Sequence, residues 1–267
     1  MLMAGAAPRQ GQPALNDADL ERRFGGLRRL YGAAGYQAVR SARIAVVGLG
    51  GVGSWAVEAL ARSGVAQLVL IDLDQVAESN INRQVQALGS TVGLAKAEAL
   101  RRRVADIHPG CQVLCVEEFA SADTWPALLG APVDLVIDAC DQSQAKLALA
   151  AWALHGGTPL VCVGAAGGKQ QPQAVEVADL ADATHDPLLA SLRQRLRKQG
   201  AARSGRIGLR CVFSREPVAM PAAAAEGDAC AVDGTLNCAG YGSSVTVTAT
   251  FGMVAAAESL RLVMART

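Results

Sequence analysis

Aromatic side chains are scarce in this sequence, ten in 267 residues or 4%. That excludes recognition built chiefly on rings stacking against flat ligands or unpaired bases. Charge of one sign is missing as well: 25 Lys and Arg stand against 24 acids, a net charge of +1. No global field requires or forbids a nucleic-acid partner, so local distribution has to be read instead. Close cysteine pairs are absent. The seven cysteines (Cys111, Cys115, Cys140, Cys162, Cys211, Cys230 and Cys238) are odd in number, and their nearest spacings are Cys111-x3-Cys115 and Cys230-x7-Cys238. Neither a disulfide framework nor a structural zinc is expected, and free thiols point to a reducing, cytoplasmic setting. The first residues, MLMAGAAPRQGQPALN, have no basic region ahead of an apolar one, so 1–18 reads as a disordered leader and not a signal peptide. The one long uncharged span runs from Gly234 to Ala257; it holds four glycines and many Ser and Thr. It reads as a β-like or loop segment leading into a buried helix near Phe251–Ala265, with peripheral membrane contact left open.

What is abundant is small and apolar: 28 glycines, and a 51% hydrophobic content supplied mainly by Ala, Val and Leu. A chain of this length can bury roughly 70–75% of its unfolded surface. Short apolar runs at Arg43–Gly48, Gln67–Asp72, Val113–Val116, Asp134–Asp138 and Pro159–Gly164 alternate with helical patterns at Trp55–Ser63, Leu94–Ile107 and Ala145–His155. In the second helix Arg101, Arg102 and Arg103 fall largely on the outward face. The alternation predicts an α/β protein with a Rossmann-like, doubly wound mixed sheet, helices on both faces and an antiparallel C-terminal extension. Residues 19–267 read as one domain, with 169–267 its irregular extension. There Val175–Val177 and Leu209–Phe213 read as strands, Asp186 to about Gln199 as a basic helix, and Pro217–Cys238 as a long loop.

Gly48-Leu-Gly50-Gly51-Val-Gly53 joins a strand to a helix, and Asp72 closes the next strand. Gly48 permits the tight turn, Gly50 the approach of backbone to a phosphate, and Gly53 close packing of helix on strand. The helix N-terminus favours an anion, and Asp72 can accept the hydroxyls of a ribose. Glycines that merely pack a turn are the bland alternative. Hydride transfer with a dinucleotide is the default reading of such a loop, but Asp74, Asn82, Arg83 and Lys96 follow the acid. Cations gathered there suit a triphosphate better. Asp141 lies just beyond a strand end, where such sheets bind ligands. Asp138 and Asp74 are second candidates for a metal, and either could simply cap a turn. From Pro187 to Arg215 there is no acid but eight basic residues, a stretch able to contact phosphates or to serve as a solvated helix face.

The stretch from Arg43 to Ile107, with IDLDQVAESNINRQ and VGLAKAE, resembles the ATP-dependent adenylating family of ubiquitin-activating enzymes and sulfur-carrier activators. RRFGGLRRLYG, CDQSQAKLAL, GAAGGKQQP, DPLLASLRQRLRK and CVFSREP narrow the resemblance to the bacterial tRNA threonylcarbamoyladenosine dehydratases, from about Leu20 to Leu262. The resemblance implies ATP lying along Gly48, Gly50, Gly51 and Gly53, its ribose on Asp72, with Asp74 and Asn82 nearby. Arg83 and Lys96 would be catalytic on the phosphates, and Asp141 would be catalytic and hold Mg2+. It implies a modified tRNA as substrate, a homodimer in which Arg23 or Arg28 reaches the partner's site, and a sulfur-trafficking protein as a further partner. A second arginine of the family motif is replaced by Gly26. Cys238 is the best-placed candidate nucleophile, an incidental thiol being the commoner reading. Competing functions are a sulfur-carrier adenylyltransferase, a nucleotide-responsive binding protein without turnover, and a dehydrogenase.

Overall fold

In the computed structural model, which describes residues 19–219 and 241–266, short aliphatic runs form the centre of a seven-stranded sheet. Its strands are β1 (Arg43–Val47), β2 (Gln67–Ile71), β3 (Gln112–Val116), β4 (Leu135–Asp138), β5 (Leu160–Val163), β6 (Val175–Asp179) and β7 (Arg210–Ser214). The order is β3-β2-β1-β4-β5-β7-β6, with only β6 antiparallel to its neighbour. Side chains alternate across the pleat, so β1 feeds two cores at once. Ile44 and Val46 join α3 (Gly53–Arg62), α4 (Lys96–Ile107) and α7 (Val245–Met264) on one face. Ala45 and Val47 join α5 (Ser143–Gly156) and α6 (Pro187–Lys198) on the other. Burial on both faces is why these strands read as continuous apolar runs. The predicted sheet, its crossovers and its antiparallel addition are present. The predicted leader, Cys230 and Cys238 lie outside the described residues.

Two expectations are corrected. The Gly-, Ser- and Thr-bearing span ahead of Phe251 reads as a β-like or loop segment, but Val245–Thr250 is the first part of the 20-residue α7. Ser244 caps that helix by accepting from the Thr246 amide at 3.3 Å. Burial of Val247, Phe251 and Ala255 against α3 and the sheet outweighs the local preference. Contact is so close at Gly252 that a Cβ would lie 2.5 Å from the Val52 carbonyl oxygen. By length and composition α7 could cross a membrane, yet more than half of it is buried in the protein. Arg103 is the second correction: its guanidinium does not point away but reaches the buried Glu58 of α3 at 2.5 and 3.0 Å. Arg62 binds the same carboxylate at 2.8 Å.

The N-terminal prelude is helical, α1 (Leu20–Phe24) and α2 (Gly26–Ser41), kinked at Gly32 where φ is 72°. Arg23 donates to the Asp106 and Ile107 carbonyls at 2.8 and 2.6 Å, placing a cation at the negative end of α4. Next to it His108 is 1% exposed, its ring 4.7 Å from that of Phe24. Nε2 lies 2.8 Å from Arg40 Nη1 and must be the acceptor, so the imidazole is neutral. Burial, then Arg40 and Arg23, pull its pKa down to about 4. An unfolded chain therefore takes the proton first, and this neutral ring loses its stabilising advantage as pH falls from about 6.5 towards 4. We expect a loss of up to about 3 kcal/mol across that window. Chemical denaturation at pH 7 and 4.5 measures it, and His108→Gln should remove most of the difference.

Candidate nucleotide site

Strand order reverses between β1 and β4, and the chain leaving β1 turns there at Gly48, with φ of 84°. A Cβ on Gly48 would stand 2.8 Å from the Ala139 carbonyl and the Cys140 nitrogen. At Gly53 it would collide with the Gly48 carbonyl oxygen. These two glycines bring α3 flush onto the strand end. Gly50 has open space within 4 Å of a would-be Cβ, and Gly51 faces Thr248 and Arg83. Open space at the N-terminus of a helix is what a phosphate requires. Behind the loop, the buried Gln86 amide donates to the Leu49 carbonyl at 3.0 Å.

The loop floors a cleft of about 600 Å³. On one side Asp72 accepts from the Leu49 amide at 2.6 Å and from the Asp74 amide at 2.9 Å. Burial pushes its carboxyl up, against the opposing pull of Lys96 and those amides. Lys96, itself buried at the start of α4, has Nζ 2.6 Å from Asp74 and 3.8 Å from Asp72. Arg83 donates to the Ser79 carbonyl at 2.7 Å and to Asn82 Oδ1 at 3.0 Å; desolvation lowers its pKa. Its own carbonyl accepts from Trp55 Nε1 of α3 and Thr248 Oγ1 of α7 at 3.0 and 3.3 Å. Opposite stand Cys140, Asp141 and Gln142, and the back wall is Gly164–Gly167.

Gly48, Gly50, Gly51, Asp72, Asp74, Arg83, Lys96 and Asp141 thus line one cleft, and Gly53 shapes its floor. Asn82 does not line it; its amide holds the Ser243 carbonyl at 3.0 Å and its oxygen holds Arg83. Asn80 lines it instead, its Oδ1 accepting from the Ala77 amide at 3.1 Å. Arg23 and Arg28 are outside this cleft. Arg23 caps α4, and Arg28 pairs with Glu21 at 2.9 Å over the Tyr36 ring. Lining residues without a local sequence signal are Phe119, Tyr241, Ser243 and Thr248, brought in from distant segments.

Asp186 joins the back wall to the basic helix. Its Oδ1 caps α6 by accepting from the Leu189 amide at 2.9 Å, while Oδ2 accepts from the Ala165 amide at 2.8 Å. Leu188 on the first turn of α6 lines the cleft, and an open groove beside the helix carries Arg193, Arg197, Lys198 and Arg203. The eight basic residues from 187 to 215 do not act alike. Arg193 holds the Leu180 and Ala183 carbonyls, Arg195 holds Ser143 and Gln144, Arg210 pairs with Glu258 and Arg215 with Glu176. Arg197, Lys198 and Arg203 have no acidic partner among the described residues.

Among the described residues no group of three or more His, Cys, Asp or Glu could hold a metal by itself. Asp141 offers one cleft-lining carboxylate, which suits Mg2+ carried by phosphates and not a protein cage. All five described cysteines are free. Burial and Asp138 raise the Cys140 thiol far above its ordinary range, so the thiol lining the cleft is protonated and weakly nucleophilic.

A glycine turn at the switch point of a doubly wound sheet, with a carboxylate beside it and two cations above it, defines a nucleotide-binding α/β protein. The chain belongs to the ThiF family, whose model matches residues 23–267, and within it to the tRNA threonylcarbamoyladenosine dehydratases. It is 43% identical to the Escherichia coli tRNA threonylcarbamoyladenosine dehydratase over 255 residues, covering 92% of this chain and 94% of that one. Identity to the Haemophilus influenzae dehydratase is 40%, covering 88% and 90% of the two chains. The crystal structure of the Escherichia coli enzyme in complex with ATP superposes with a TM-score of 0.83 at 41% identity, covering 93% of this chain and 97% of that one.

The acid beside the loop yields a direct test. Asp72→Asn should leave the fold intact, because the Leu49 amide keeps an acceptor, and should weaken ATP binding about 10- to 100-fold, the worth of a charge-assisted bond. Calorimetric titration measures it, and an unchanged Kd refutes the ribose role.

Proposed function

We propose that this chain catalyses ATP-dependent dehydration of N6-threonylcarbamoyladenosine, next to the anticodon of tRNA, to its cyclic form. The observation that carries the reading is one cleft in which Asp72, Arg83, Lys96 and Asp141 surround a glycine loop, with a basic helix beginning at its rim. ATP lies along Gly48–Gly53 with its ribose on Asp72. The free carboxylate of the threonylcarbamoyl group attacks the α-phosphorus, and the bond to pyrophosphate breaks. Arg83 and Lys96 stabilise the charge that moves onto the phosphates, and Lys96 exchanges Asp74 for a phosphate oxygen as it does so. Asp141 would hold Mg2+, which when bound screens phosphate charge. The carbamoyl part of the same substituent then attacks the activated carbonyl, a five-membered ring closes, and AMP leaves. Water is lost from the nucleoside while ATP becomes AMP and pyrophosphate. Because nucleophile and acyl group share one substituent, proximity replaces a catalytic thiol, in keeping with the protonated Cys140.

Beside the cleft, Arg197, Lys198 and Arg203 meet tRNA phosphates without reading bases. A homodimer of cytoplasmic enzyme completes the reading, and a sulfur-trafficking protein is a further partner of the family. Of the two arginines considered for a role across the dimer, Arg28 is the freer, since its one ion pair is exposed whereas Arg23 is fixed on α4. The alternative, adenylation of a sulfur-carrier C-terminus, gives no purpose to the basic groove.

ATP–pyrophosphate exchange with added modified tRNA separates these readings. Exchange and AMP formation stimulated by the tRNA, with loss of one water from the nucleoside by mass spectrometry, is expected. Exchange stimulated only by a carrier protein overturns the proposal. In the same assay Lys96→Ala and Asp141→Ala should each lower AMP formation at least about 100-fold with unchanged circular dichroism. Lys198→Ala/Arg203→Ala should flatten the log–log salt dependence of tRNA binding by about 1.4–1.8 and leave ATP affinity unaltered.

A further inference from the structure

Beneath the cleft, Asp138 and Lys146 form an ion pair 2.8 Å long whose side chains are both wholly buried. Asp138 is the last residue of β4, and Lys146 is on the first turn of α5, within an otherwise apolar stretch. The pair bonds to the Cys140 segment that follows β4 and to the end of β5. Asp138 Oδ1 accepts from the Cys140 amide at 3.2 Å and from Cys140 Sγ at 3.0 Å, which fixes the loop carrying Asp141. Its Oδ2 takes Lys146 and, at 3.4 Å, Cys162 Sγ. Lys146 Nζ also donates to the carbonyl of Val163 at 3.0 Å, the last residue of β5 before the Gly164–Gly167 wall. One charge pair therefore grips the exits of two neighbouring strands, and both exits contribute to the lining of the cleft.

The fold alone does not call for charge here. Burying two ions is costly, and a well-packed apolar pair of similar volume is commonly as stable or more so. Burial by itself would pull the Lys146 ammonium down, but the Asp138 carboxylate outweighs it and holds the lysine charged. A fixed charge bonded to backbone on both sides sets a distance more sharply than side chains in van der Waals contact do. Adenylation followed by ring closure within one substituent depends on such spacing, because a misplacement of about 1 Å can cost a hundredfold in rate.

We propose that Asp138 and Lys146 are positioning residues that set the spacing between the Cys140–Asp141 loop and the Gly164–Gly167 wall. The role in catalysis rests on the dehydratase reading; the role in loop geometry does not.

The test replaces the pair by apolar residues, Asp138→Leu/Lys146→Met, and reads three quantities. Thermal stability should be unchanged or higher and the Kd for ATP should stay within threefold, whereas kcat for tRNA-dependent AMP formation should fall at least tenfold with little change in KM. Amide hydrogen exchange at 139–142 and 164–167 should accelerate at least tenfold. Unchanged kcat and unchanged exchange would overturn the proposal. Should the double variant fail to fold, Asp138→Asn keeps an acceptor for the Cys140 amide while removing the charge; the same split between kcat and KM supports the proposal, and full turnover refutes it. A wild-type chain that formed no AMP with modified tRNA would refute the dehydratase reading instead, and exchange at the two loops would still decide whether the pair sets their geometry.

Discussion

Everything in the site depends on how closely two backbones approach at the switch point of the sheet. Gly48, leaving β1, lies against Ala139 and Cys140, leaving β4, with no room for a Cβ between them. That contact closes the floor of the cleft and sends the two chains apart, one into α3 and one into the Asp141 loop. It also places the start of α3 over the strand ends, because Gly53 rests on the Gly48 carbonyl. Asp72 locks the turn from the side through the Leu49 amide. A carboxylate that faces the cleft is therefore also part of its frame, which is why removing its charge and removing its acceptor are different experiments.

Much of this could be read from residue order alone, for identifiable reasons. Strands buried on both faces leave uninterrupted aliphatic runs, and glycine at a positive φ or a crowded contact has no substitute, so β1, Gly48 and Gly53 are written locally. Asp72 follows from its place at the end of β2. The rest was hidden because it is made by segments far apart in the chain. Thr248 reaches the Arg83 carbonyl across 165 positions, and Asn80 and Asn82, two residues apart, divide between lining the cleft and bracing it. The Ser- and Thr-rich composition ahead of Phe251 suggested a β-like or loop segment, whereas tertiary burial against α3 makes Val245–Thr250 helical. Lys146 did leave a trace, a single cation in the apolar run AKLALAAWAL, but only the structure shows its partner.

Charge is partitioned in the same way. A near-neutral total conceals cations with three separate duties: Arg23, Arg193 and Arg195 hold carbonyls, Arg62, Arg103 and Arg210 neutralise buried glutamates, and Arg83 and Lys96 face the cleft. Release of the cations that neutralise Glu58 and Glu258 would strand buried carboxylates, so these are unavailable to a ligand. Only those in weak or exposed pairings can change partners. Lys96 meets that requirement, since Asp74 is mostly exposed and can turn to water when a phosphate arrives.

This partition bears on how the cleft can do chemistry without an activated nucleophile. Of the described cysteines only Cys140 faces it, and its bond to Asp138 favours the protonated thiol. A carboxylate beside a thiol disfavours the thiolate. The same Asp138 that suppresses the sulfur holds the amide of Cys140 and so orients the adjoining Asp141. One buried acid thereby withholds covalent catalysis and sharpens geometry, a combination suited to a substrate that carries its own nucleophile. On the proposed reading, catalysis rests on the positions of charges around the phosphates and on the distance between two loops.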